Sequence, residues 1–159
     1  VTGVADRMPH RIRALVYADA FIPENGQSMF SILGPEREAK LREGARVWGE
    51  GWKVKPLPAS YYRVASPEDA AYTDKMSTGH PIRCFEQKLK LTGDASKLNR
   101  VYIRAIGHLD GPFGPFSEKT RNKPGWTYYE LPCGHDVMLD QPQALTGILL
   151  EVAAKAAAA

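Results

Sequence analysis

The stretch CGHDVML, residues 133–139, places a thiol, an imidazole and a carboxylate almost side by side. A Gly-His-Asp corner between a strand-like run and an amphipathic segment is a good place to present an imidazole as general base and acid. The alternative is a turn histidine whose ring caps the terminal helix. A catalytic His135 needs a nucleophile. The seven serines are Ser28, Ser31, Ser60, Ser66, Ser77, Ser96 and Ser117, and none sits in Gly-x-Ser-x-Gly between a strand and a helix. GQSMF around Ser28 lacks the second glycine and reads as loop. Cys133 lies too close along the chain to His135 to be presented as its nucleophile, and nothing nearby would lower its pKa. Cys133, His135 and Asp136 form a single local cluster without a second ligand pair, so no metal is assigned. Asp136 is adjacent to His135, and neighbouring side chains in a turn diverge, so it is not taken as the acid partner. His10, His80 and His108 read as surface histidines.

The chain that must position His135 has 159 residues, 43% of them hydrophobic and 25% charged, which suits one globular domain. The net charge is +3, and its lysines and arginines are dispersed. That argues against a nucleic-acid partner or a polybasic membrane surface and in favour of small molecules or proteins. No apolar run approaches the length of a membrane span, and the opening VTGVADRMPHRIR lacks a signal-peptide pattern, so the expected location is cytoplasmic. The two cysteines, Cys84 and Cys133, are too few for a disulfide framework and are expected to be reduced.

Three strands are legible: the apolar run Ala14 to Ala18, the segment 99–107, and GWTYYEL at 125–131 after a Pro-Gly turn. Helical or irregular segments separate them, which predicts an α/β fold with a largely parallel sheet. At the end of the chain Leu145, Ile148, Leu149 and Val152 recur on one helical face, with Asp140 as the predicted N-cap and Pro142 in the first turn. The alanine-rich tail adds helix propensity. About eighty residues separate the first two strands, more than a simple crossover needs. This excursion should hold a helix over PEREAKLREGARVW with a Glu38–Arg42 pair, and another starting at Ser66 and Pro67. Trp48, Trp52, Tyr61 and Tyr62 cluster within it, as a subdomain core or as contacts to a ligand. The loop GHLDGPFGPF follows the second strand, at the sheet edge where open α/β folds place their sites.

Taken in order, LVYADAFIPENGQS, the helical excursion, RVYIRAIG, WTYYELPCGHDVML and QPQALTGILLEVA resemble the later part of an α/β-hydrolase. The likeness is greatest to small esterases of the plant methylesterase and hydroxynitrile-lyase type and their bacterial relatives. The resemblance implies residues 1–22 as helix and strand of the hydrolase core, 23–98 as an inserted helical cap, and 99–159 as the C-terminal strands and helices. It implies that His135 is the triad histidine and that the serine and oxyanion hole lie upstream of Val1. Two acids compete. Asp19 ends the first strand, where dehalogenase-like members carry theirs; Asp110 lies in the loop after the second strand, where the plant esterases do. Asp19 is preferred, and either could simply be a turn carboxylate. Hydroxynitrile lyases have a lysine beside the histidine; here Asp136 would repel cyanide, which favours ester hydrolysis. Trp48, Trp52 and Met138 are the candidate substrate contacts, and no cofactor is called for. The expected partners are a small ester, the N-terminal part of the same fold on the same or a separate chain, and a second copy in a homodimer. The competing expectation is a non-catalytic binding or assembly module.

Overall fold

The computed structural model describes residues 1–158. A short helix, α1 (Thr2–Arg7), leads into β1 (Ala14–Ala18). An excursion follows, comprising α2 (Met29–Leu33), α3 (Pro35–Trp48), β2 (Lys53–Val54), α4 (Ala59–Tyr62), α5 (Pro67–Met76), β3 (His80–Pro81) and α6 (Arg83–Glu86). The chain then returns through β4 (Asn99–Ala105), α7 (Gly114–Thr120), β5 (Trp126–Leu131), α8 (Val137–Asp140) and α9 (Pro142–Ala158).

The sheet has the order β1-β4-β5 and both pairings are parallel, with Val16 opposite Val101 and Val101 opposite Thr127. The central strand β4 is buried from Val101 to Ala105, which explains its nearly continuous apolar run. Its alternating side chains feed two cores. Val101, Ile103 and Ala105 join Leu131, Cys133, Val137 and Val152 beneath α9, where Ala144, Leu145 and Ile148 complete the packing. Tyr102 joins Leu15, Tyr17, Ala5 and Ala95 on the opposite face. Arg104 also belongs to this second face, two residues beyond Tyr102.

The excursion has its own apolar cluster of Phe30, Ala45, Val54 and Ile82, flanked by Leu41 and Phe85. Trp48 and Trp52 lie outside this cluster and are half exposed, so the subdomain-core reading of the tryptophans does not hold. They bracket the Lys53 ammonium, 5.9 and 5.1 Å from their ring centres. The Ser66 side chain accepts a hydrogen bond from the Asp69 amide, and Arg42 pairs with Glu38 at 2.8 Å, as the spacing predicts. A side-chain cap also forms at Ser28, whose hydroxyl and that of Ser31 bond reciprocally to each other's amides.

Two expectations about the terminal helix are corrected. Asp140 does not cap α9; it ends α8, and its carboxylate accepts bonds from the amides of Gly134 at 2.8 Å and Ala65 at 3.0 Å. Gln141 intervenes before Pro142 starts the helix. Leu149 is 42% exposed, because the seam on the sheet is narrower than the periodic stripe and only Leu145, Ile148 and Val152 reach it. None of the described helices is long and apolar enough to cross a membrane.

Candidate active site

The site forms where the carboxyl ends of β1 and β4 meet the turn after β5. Asp19 directly follows β1, its amide bonded to the Ile103 carbonyl at 2.7 Å. That bond continues the ladder one residue past the strand, while a φ of 42° turns the backbone out of it. For a residue other than glycine this left-handed conformation is uncommon, and aspartate tolerates it better than most. The side chain is 0% exposed. A buried carboxylate needs compensation. Arg104, 3% exposed, supplies it: one guanidinium nitrogen bonds Asp19 Oδ1, and the other donates to the His108 carbonyl at 3.0 Å.

The other carboxylate oxygen faces two histidines. Asp19 Oδ2 lies 2.9 Å from His135 Nδ1 and 3.6 Å from His108 Nδ1. The first is a hydrogen bond; the second exceeds hydrogen-bond range, and His108 Nδ1 is buried without a partner. His108, expected at the surface, is 1% exposed. Its carbonyl is held by Arg104 and its ring lies against Gly111, where a Cβ would come within 2.4 Å of the imidazole.

His135 is placed by backbone as much as by side chain. Its amide donates to the Tyr62 carbonyl at 2.8 Å, and the preceding Gly134 passes so near the carbonyls of Tyr62 and Arg63 that any side chain would collide with them. Two aromatic rings lie close to parallel with the imidazole. Phe113 stacks on it at 4.7 Å with the planes 1° apart, and Tyr62 stacks at 5.3 Å and 27°. Aromatic faces carry negative potential and favour a cation beside them. The Tyr62 phenol is shifted up from its ordinary value by burial, with the Asp136 charge adding to the effect. With Nδ1 committed to Asp19 and the side chain 23% exposed, the far nitrogen, Nε2, has no hydrogen-bond partner among the described residues. An imidazole fixed at Nδ1 by a carboxylate and open at Nε2 can accept a proton there and return it.

Asp110 is not brought to His135. It is exposed and pairs with Arg63 at 2.9 Å, an ion pair that holds its carboxyl below the ordinary range. Met138 is 54% exposed, one turn beyond the site. Trp48 and Trp52, 45% and 52% exposed, have Lys53 as their partner. His10 and His80 are exposed. Cys133 lies in the core beneath α9, and burial pushes its thiol up to about 11, opposite to what a nucleophilic cysteine requires. Ser117 is buried and bonded to the Tyr128 hydroxyl at 2.6 Å.

Asp19, His108 and His135 each direct a ligand atom into a space where all three lie within 4.8 Å of one another. Two imidazoles and a carboxylate make a donor set for zinc and similar ions. Arg104 already compensates the carboxylate. The sequence reading does not place Arg104, His108 or Phe113 in the site, and Tyr62 enters it only as part of an aromatic cluster. The available signal was the arginine inside VYIRAIG, a charge within an otherwise buried strand.

The comparisons agree with this architecture. No family model matches the chain. The chain is 37% identical over 153 residues to a carbendazim hydrolyzing esterase of Nocardioides sp. (strain SG-4G), a match covering 91% of this chain and 63% of the relative. Among solved structures, an extracellular α/β-hydrolase from a Paenibacillus species superposes with a TM-score of 0.74 at 22% identity, covering 95% of this chain and 66% of that one. A variant of tomato methylketone synthase I gives 0.72 at 16%, over 98% and 65%. A pyrethroid hydrolase from Sphingobium faniae JZ-2 gives 0.65 at 16%, over 94% and 64%. The fold is that of these α/β-hydrolases over the part the chain spans, which is somewhat less than two thirds of the relatives' length.

Proposed function

We propose that this chain supplies the histidine and the acid of a Ser-His-Asp ester hydrolase, with the serine contributed by a segment preceding Val1. The observation that carries this reading is the His135–Asp19 hydrogen bond at the carboxyl edge of the sheet, with Nε2 left open. In the proposed reaction Nε2 takes the proton from the serine hydroxyl as it attacks the ester carbonyl, and then delivers it to the departing alcohol. Asp19 fixes the tautomer and, with the Phe113 and Tyr62 faces, stabilises the imidazolium that forms. Water then attacks the acyl carbon, giving a proton to Nε2, and the bond to the serine oxygen breaks as Nε2 returns that proton to it and the carboxylic acid leaves. No step needs a cofactor.

The esterase and hydrolase relatives support ester-bond cleavage. Residues 23–98 serve as a cap, since Tyr61 and Tyr62 on α4 reach over His108 and His135. The exposed apolar side chains Trp48, Trp52 and Met138 are available to a bulky or aromatic acyl group. β1 sits at one side of the three-stranded sheet, and its outer edge is where the preceding part of the fold would pair. The test is an activity-based fluorophosphonate probe and a panel of p-nitrophenyl esters on the full-length protein, with His135→Ala alongside. Labelling and hydrolysis that depend on His135 are expected. A full-length protein that neither takes the probe nor cleaves any ester would overturn the reading.

A further inference from the structure

We infer that Arg104 is a positioning residue that sets the acid and the wall of the histidine pocket at once. Its guanidinium bridges two elements: one nitrogen holds Asp19 Oδ1 at the end of β1, and the other holds the His108 carbonyl in the loop after β4. The first bond leaves only Oδ2 for His135, so the carboxylate cannot rotate away from Nδ1. The second pins the segment 106–112 that delivers Phe113 onto the imidazole face. Asp19 has little other help, since the Ala105 amide is 3.4 Å from Oδ1 and His108 Nδ1 is out of range.

A planar fork meets both acceptors, and a lysine ammonium in the same place would keep the charge but not the geometry. Both ends of the fork are buried, so water does not replace a lost bond cheaply. The inference rests on the proposed hydrolase reading for its kinetic consequences, although the geometry it asserts is independent of turnover.

The experiment uses Arg104→Lys and Arg104→Met in the full-length protein, with two readouts. In ester hydrolysis, kcat should fall by about a hundredfold in Arg104→Met and less in Arg104→Lys, with KM nearly unchanged. In proton NMR of histidine-labelled protein, the downfield Nδ1–H resonance of His135, assigned from its loss in His135→Gln, should move upfield or broaden in both variants. If Arg104→Met does not fold, Arg104→Lys, which retains the buried charge, carries the test. Folded variants with native kcat and an unmoved resonance would overturn the inference, as would lowered melting temperature with both readouts unchanged. If the unsubstituted protein hydrolyses no ester, the hydrolase reading fails, and the resonance alone decides whether Arg104 positions the pair.

Discussion

His135 Nδ1 and Asp19 Oδ2 lie 2.9 Å apart although 116 positions separate them in the chain. Asp110, only 25 positions before the histidine, is instead occupied by Arg63 on the surface. Replacing each acid by asparagine should therefore separate them. Asp19→Asn should lower kcat by about four powers of ten, because an amide favours the wrong imidazole tautomer. Asp110→Asn should stay within about twofold of the unsubstituted enzyme. Steady-state kinetics on the full-length protein check both, and a crippled Asp110→Asn would mean that the acid is wrongly assigned.

Gly134 is a packing requirement. A Cβ there would lie 2.3 Å from the Arg63 carbonyl oxygen and 2.6 Å from that of Tyr62. Gly134→Ala should cost about 1–3 kcal/mol of stability and, by moving the next residue, most of the turnover. Denaturant unfolding and kinetics measure the two effects, and native values for both would refute the close approach.

The two thiols should differ sharply. Cys84 is exposed, whereas Cys133 is buried with its pKa pushed up to about 11. At pH 8 roughly one Cys133 in a thousand would be thiolate even if it were reached. Iodoacetamide on the folded protein should modify Cys84 and leave Cys133 untouched by mass mapping, with esterase activity retained. Rapid loss of activity on Cys133 modification would revive it as a nucleophile.

Asp6 ties α1 to the segment before β4, accepting bonds from the amides of Thr92 at 2.6 Å and Gly93 at 2.9 Å. The Thr92 amide is the main cause of its lowered pKa, opposed by desolvation and reinforced by Ala95, the Thr92 hydroxyl and Gly93. The folded pKa lies below the unfolded one, so this contribution to stability is fully present above roughly pH 4 and is lost as pH falls through the folded value. Asp6→Asn should be less stable than the unsubstituted protein at pH 7, with the gap narrowing in acid. Urea midpoints measured across pH 2.5 to 7 test this; a gap that is constant with pH would show that Asp6 acts without its charge.

The two rings stacked with His135 can be tested by substitution. Phe113→Leu and Tyr62→Leu should each lower kcat by about threefold to tenfold with little change in fold, since each removes an aromatic ring from beside the imidazolium of the proposed reaction. An unchanged kcat would leave the rings as simple packing.

Much of the framework was legible because its signals are local. The run Ala14 to Ala18 is the observed strand to the residue, and the segments 99–107 and 125–131 contain the other two. Ser66, Pro67 and the Glu38–Arg42 spacing marked helices because caps and one-turn ion pairs depend on residues within four positions of each other. Asp140 was misread for the same reason: a capping residue close to Pro142 satisfied the local rule, while its carboxylate was already taken by amides from Gly134 and from distant Ala65.

By itself, then, the sequence determined an α/β chain with three parallel strands, a long helical excursion, and a histidine presented on a glycine corner. It left two acids open and sent His108 to the surface, because a polar residue in a loop carries no mark of what lies above it. Only the tertiary structure decided that Asp19 meets His135, that Asp110 turns outward to Arg63, and that Arg104 and His108 are buried behind the acid. Those outcomes depend on which strand ends the parallel sheet brings together and on which charges can afford to leave water, and both are settled across the fold.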